Sequence, residues 1–315
     1  MFGCAGHGGS GSETAEPPSC SGLPVDCGSP SHESCCESPT VTGGTFERDN
    51  DPSLPGNISS FRLDKYEVTV GRFRKFVDSV VAGWVPPPGS GRHTHLNGGS
   101  GLSNSAATGH ELGWDATWNT NLPATKDAWD SAYHLTCDQA FATWTPDRAS
   151  HENLPINCVN WYEASAFCIW DQGFLPSDAE ENYAAAGGSE QRAYPWGATV
   201  PSGSAELAIF GCYFNAAGNC TDFTNIAPVG SVVAGNGRYG QADLAGNVAE
   251  WNLDWDAPNS VSACDDCAYL QPEIARVERG GSFFFYASLM LSTAHDGVPP
   301  MARSFDLGLR CARTP

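Results

Sequence analysis

The sequence predicts a single loop-rich α+β domain behind a disordered or cystine-rich N-terminal segment. Three observations carry this. Few windows show helical spacing, the strand-like runs are short, and 35 Gly and 22 Pro among 315 residues fill the long stretches between them. Hydrophobic residues make up 41%, with ten Trp and fifteen Phe, enough apolar surface to bury a core and to exclude wholesale disorder. At ~150 residues per domain the length corresponds to about two domains, though one large irregular domain fits equally well.

Residues 1–19 read as a flexible Gly/Ser/Glu tether. Residues 20–40 read as a collar, because Cys20, Cys27, Cys35 and Cys36 crowd a Pro/Ser/Gly-rich segment that cannot build its own core. The domain proper occupies 41–315. In it, Val41 to Phe46 reads as a short strand, and Ile58 to Val68 alternates with Phe61, Leu63 and Tyr66 apolar. Thr69 is placed to cap a helix from Val70 to about Val81, where Phe73, Phe76, Val77 and Val80 fall at helical spacing. Residues 84–125 are irregular and rich in Gly, Pro, Asn and Trp, a length that often carries function. Asn160 or its predecessor caps a second helix with Trp161, Ala164, Phe167, Cys168 and Trp170 as its apolar set. Ser177 opens a third, since Ser177-Asp-Ala-Glu180 has the capping-box form and Gly187-Gly188 is a C-cap signal. Residues 198–239 are loops and cystine, and 276–290 and 304–313 read as closing strands.

Acidic residues number 36 and basic ones 16, a net charge of −20. This argues against a nucleic-acid partner, which needs a Lys/Arg surface, and against docking on anionic lipid through a basic patch. No run reaches ~18 apolar residues. Thirteen cysteines point to an oxidising compartment. Met1-Phe2-Gly3-Cys4 resembles the end of a bacterial lipoprotein signal, which implies an acylated Cys4 and an extracytoplasmic protein on the bacterial outer surface or in the periplasm. Membrane attachment is then through that anchor alone. Without Cys4 twelve cysteines remain, an even number that suggests six disulfides. A zinc or redox role for Cys264-Asp-Asp-Cys267 is disfavoured, since no second C-x-x-C and no surrounding βαβ pattern exist.

Four segments coincide in order. They are Tyr66-Glu-Val-Thr69 before a Phe-rich helix; Asn157 to Cys168 followed by Leu175 to Gly188 and Tyr194-Pro-Trp-Gly197; Gly240 to Trp251, with Asp243-Leu-Ala-Gly-Asn-Val-Ala-Glu250; and Arg279-Gly-Gly-Ser282 closing with Gly308-Leu-Arg-Cys311. Together they resemble the formylglycine-generating enzyme, or sulfatase-modifying factor, family over roughly residues 41–313. The resemblance implies a fold related to C-type lectins. Its best-known enzymes oxidise a sulfatase cysteine to formylglycine with copper held by two thiolates, a ligand set suited to soft Cu(I). Here those positions are Phe285 and Met290, and neither is a thiolate, so copper is not expected. Ser282 and His295 remain beside them as possible remnants of the reaction centre.

By the same resemblance Cys168 and Cys311 form a disulfide, while the partners of another family disulfide are replaced by Ala185 and His295. Asp243, Gly246, Val248 and Glu250 match a structural calcium loop of side-chain and carbonyl oxygens, with a second position near Asp222 and Phe223. Iron is not indicated: the helical His motif of related sulfoxide synthases is absent, and His93-Thr-His95 and His110-Glu111 read as solvated loops. Trp84, Trp114, Trp118, Trp251 and Trp255 either pack long loops or line a groove for an extended peptide or glycan. The resulting expectation is a peptide, glycan or protein ligand on the former substrate face. A diverged metal-dependent oxidoreductase using another centre, with His295 as its candidate residue, and an envelope structural protein are the alternatives.

Overall fold

The computed structural model describes residues 16–257 and 263–315. Cys4 lies outside the described residues.

Helix α1 (Val70–Val81) starts where Thr69 accepts a hydrogen bond from the Arg72 amide. Its apolar face buries Phe73, Phe76, Val77 and Val80. Trp129, the last residue of the short helix α2 (Lys126–Trp129), meets that face edge-on. Helix α3 (Trp161–Trp170) opens with a capping box between Asn160 and Glu163, and its Phe167 stacks on Phe73 at 5.5 Å. Helix α4 (Asp178–Ala185) has the Ser177/Glu180 capping box and ends before Gly187, which takes the left-handed conformation at φ 67°.

The main sheet has four strands in the order His295–Val298, Arg276–Arg279, Ala249–Trp255, Leu307–Gly308; only the last pairing is parallel. Small two- and three-stranded sheets surround it. The run from Val41 to Phe46 is two strands, Thr40–Val41 and Gly44–Glu47, in different sheets. Between them Gly43 lies so close to Ile58 that a Cβ would sit 2.3 Å from its carbonyl oxygen. Of the run from Ile58, Ile58 ends the strand Pro55–Ile58 and Phe61–Leu63 is a second strand. The closing strand from Arg276 stops at Arg279, because Gly280 and Gly281 turn the chain away with φ 86° and 62°.

Six disulfides join the twelve described cysteines: 20–36, 27–35, 137–158, 168–311, 212–220 and 264–267. The collar is packed onto the domain, with Cys27 and Cys35 buried against Tyr66, Val229 and Ala242. Beneath it Arg72 and Arg313 alternate with Asp64 and Asp171 in a buried quartet with N···O distances of 2.6–3.0 Å. Two cations balance two anions there, so the charges are paired as burial requires. Arg72 also donates to Ser19 and to the Cys35 carbonyl, tying the collar to α1.

Candidate functional site

Phe285 and Met290 are packing residues in the fold. Met290 is fully buried with Tyr194, Ala208, Phe210 and Ala245, and Phe285 packs against the same cluster. The Met290 methyl lies so close to Gly281 that a Cβ there would come within 2.5 Å of it. Ser282 is buried and donates to Asp306 at 2.9 Å. All twelve described cysteines are in disulfides, so no thiolate among the described residues is free to hold copper, and the donor set does not fit that metal.

His295 is exposed on the edge strand opposite Arg279. It shares a small cavity with Glu278, Phe285 and Asp296. Burial first, then the neighbouring Asp306 and Asp296 carboxylates, pushes the Glu278 carboxyl up to about 8. Among the described residues no three His, Cys, Asp or Glu side chains converge as a metal site. Ala185 is buried on α4.

The loop Asp243–Glu250 is stitched in place by protein groups. Left-handed backbone at Asp243, Gly246 and Asn247 folds it back on itself. Glu67 accepts from the Asn247 side chain at 2.7 Å and from the Val248 amide at 2.9 Å. Asp243 accepts from the Gly230 amide, and both Glu250 oxygens accept from Arg310 at 2.5 and 2.6 Å. Burial, then Asp243 and Glu250, pushes the Glu67 carboxyl well above its usual range; burial pushes Asp243 up to about 6. The neighbourhood thus has more carboxylates than Arg310 balances. Each carboxylate oxygen has a second lone pair, so Arg310 does not exclude a cation at Glu250. Asp243, Glu250 and the Gly246 and Val248 carbonyls are oxygen donors of the kind Ca²⁺ takes. Asp222, at the second position, caps the turn Phe223–Asn225 by accepting from Thr224.

The five tryptophans divide. Trp84 packs on Phe76, and Trp251 is fully buried with its indole N–H donating to the Val159 carbonyl. Both belong to the core. Trp114, Trp118 and Trp255, joined by Trp161, line a cavity of about 480 Å³. This cavity shares no lining residue with the one at Phe285 and His295. One wall is Arg276, whose guanidinium lies between the Trp161 and Trp255 rings, 3.8 and 3.7 Å from their centroids.

Residues 108–115 also line the cavity and are tied to His93 through Glu111. The expectation of a solvated His93 loop fails. His93 is fully buried, with Nδ1 at 3.0 Å from Glu111 and Nε2 at 3.1 Å from Glu180. Glu111, the neighbour of His110, is buried as well and also accepts from the His93 and Leu102 amides. Burial alone lowers the imidazole's pKa, but Glu111 and Glu180 outweigh it and push it up to about 10. His93 is thus a cation clamped between two carboxylates. His95 is half-buried, stacked on Phe174, with both ring nitrogens unpartnered.

Sequence reasoning missed Arg276, Trp161 as a cavity residue, and the Glu111–His93–Glu180 clamp. The clamp spans 87 residues between His93 and Glu180, and no local pattern encodes it. Arg276 left a faint signal, since Arg276-Val-Glu-Arg279 is a closing strand with three charged residues and every one is buried.

Residues 27–315 match the family described as sulfatase-modifying factor enzyme 1-like domain. The chain is 29% identical over 303 residues to a formylglycine-generating enzyme of Thermomonospora curvata, covering 87% of this chain and 92% of that one. It is 31% identical over 165 residues to the mouse protein named inactive C-alpha-formylglycine-generating enzyme 2, covering 50% of this chain and 49% of that one. Among solved structures, PvdO from Pseudomonas aeruginosa superposes with TM-score 0.56 at 19% identity, covering 89% of this chain and 95% of that one. At that identity the likeness is one of fold.

Proposed function

This chain belongs to the sulfatase-modifying factor enzyme 1-like domain family, and from that premise we propose that it lacks copper-dependent formylglycine activity and acts as a binding module. The observation that carries this is the replacement of the thiolate pair by Phe285 and Met290, with Met290 fully buried. A second ligand set does not rescue the copper chemistry, because the described cysteines are all disulfide-bonded. The family includes a protein named as inactive, so loss of activity has precedent within it. The binding surface in this reading is the Trp114/Trp118/Trp161/Trp255 cavity, whose volume is in the ~300–1,000 Å³ range of ligand pockets. Its ligand is a peptide, glycan or protein segment.

The test is incubation of purified protein with a sulfatase cysteine peptide, copper, a thiol reductant and oxygen, read by mass spectrometry. The expected result is unchanged peptide; conversion of the cysteine to the aldehyde overturns the reading.

Two further elements belong to the proposal. Asp243, Glu250 and the Gly246 and Val248 carbonyls hold a calcium ion whose role is to balance buried charge and fix the loop. Cys4 is the acylated N-terminus of an extracytoplasmic bacterial lipoprotein, supported by the pairing of the other twelve cysteines. Mass spectrometry of the N-terminal peptide from membranes, with and without thioether-linked lipid, decides the second.

A further inference from the structure

Arg276 is an unusual wall for an apolar cavity. The residue is 5% exposed, and among the described residues no carboxylate lies within ion-pair distance of it. Its Nη1 donates to the Leu253 carbonyl at 2.5 Å, and its Nε is buried without a partner. A guanidinium has five N–H donors in one plane. Trp161 and Trp255 cover its two faces, so a partner can approach only edgewise, in that plane. Edgewise approach is the geometry of bidentate carboxylate recognition.

The acids nearby are otherwise engaged. Asp254 accepts from the Asp178 and Tyr269 amides, and Glu111 is clamped on His93. Asp115 is exposed at the rim and accepts from Thr117. Burial lowers the Arg276 pKa to about 9, with Asp254 and Tyr162 only partly restoring it. The guanidinium is therefore a cation short of an anion, in a protein whose net charge is −20. Trp114, Trp118 and Leu270 with the two stacking indoles form the apolar part of the lining, beside polar residues that include Ser90, Asn104, His110, Glu111 and Asp115.

We infer that the cavity binds a carboxylate carried on an apolar or aromatic body, with Arg276 receiving the carboxylate edgewise and the indoles receiving the body. This rests on the cavity being the binding site, as proposed above, and names the chemistry that the site selects.

The probe pair is 3-phenylpropionate and its uncharged amide, titrated calorimetrically into the full chain with its disulfides intact at low salt. The acid is expected to saturate one site and to bind at least about tenfold tighter than the amide, the difference between a charge-assisted and a neutral hydrogen bond. Arg276→Gln removes that preference. In case this variant does not fold, Asp115→Asn supplies the second perturbation. It keeps a capping oxygen, lies on the exposed rim, and is expected to tighten the acid about twofold to threefold while leaving the amide unchanged. Equal binding of acid and amide overturns the assignment of Arg276 but leaves the cavity as a binding site; absence of saturable acid binding overturns both. A second arm compares Ala-Ala-Phe with a free and an amidated C-terminus. Preference for the free end identifies a peptide terminus as the source of the carboxylate, and preference confined to 3-phenylpropionate identifies a free acid; each upholds the inference. Conversion of a cysteine peptide to the aldehyde sinks the non-catalytic reading without touching this one.

Discussion

Replacing His93 by glutamine tests whether the clamp behind the cavity rim stabilises the fold. The substitution keeps hydrogen-bonding capacity but removes the one cation between Glu111 and Glu180, leaving two carboxylates without their charge partner. An exposed ion pair is worth ~0–1 kcal/mol, whereas removing one member of a buried pair costs about 3–5 kcal/mol. His93 is fully buried, so the larger figure applies near pH 6. The sign of the pH dependence follows from the pKa. The imidazole is raised from about 6.5 in the unfolded chain to about 10 in the fold. Its contribution is complete below the unfolded value and lost as pH rises through the folded one. Between those limits the stability gap between the parent and His93→Gln closes by about 1.4 kcal/mol per pH unit. Urea denaturation at pH 6, 8 and 9.5, followed by tryptophan fluorescence, measures the gap. A gap under about 1 kcal/mol at pH 6, or one that does not shrink toward pH 9.5, refutes a buried imidazolium.

Met290→Ala is expected to cost about 2–5 kcal/mol in the same assay, because a fully buried side chain is truncated; a cost under about 1 kcal/mol would mean that the former ligand position is not core. Replacing Cys168 and Cys311 together by alanine releases a cross-link spanning 143 residues, with an expected loss of about 2–5 kcal/mol by calorimetry or denaturant titration. Chelation with EDTA is expected to lower the melting temperature by several degrees and added Ca²⁺ to restore it, since a ligand at about 100 times its Kd adds ~2.7 kcal/mol; identical melting curves remove the calcium from the loop.

Much of the scaffold was legible in the sequence because its signals are local. Thr69, Asn160/Glu163 and Ser177/Glu180 each bond a backbone amide within three residues, so the helix starts fell where the caps stand. Strand limits were less legible. Whether Val41 to Phe46 is one strand or two depends on Gly43 meeting Ile58, a contact outside any short window. Family motifs located Phe285 and Met290, but motif position alone does not distinguish a buried methionine from a ligand. The tryptophans show the same limit. Trp251 and Trp255 lie on one strand four residues apart, yet Trp251 is fully buried and Trp255 lines the cavity, and the strand register breaks between their partners Arg276 and Glu278. The Glu111–His93–Glu180 clamp depended on a fold that brings three distant charges together.

The two cavities are separate sites built on one strand. The strand Arg276–Arg279 serves both: Arg276 forms a wall of the Trp-lined cavity, and Glu278 and Arg279 line the small one beside Phe285. The cavities share that strand but no side chain. Phe285 and Met290 belong to a local apolar cluster with Tyr194 and Phe210, apart from the Trp161–Arg276–Trp255 stack. The retained cross-link fits the same division. Cys168, on α3, and Cys311 sit in the aromatic core with Trp161, so the disulfide braces the helix that carries one face of the Arg276 sandwich.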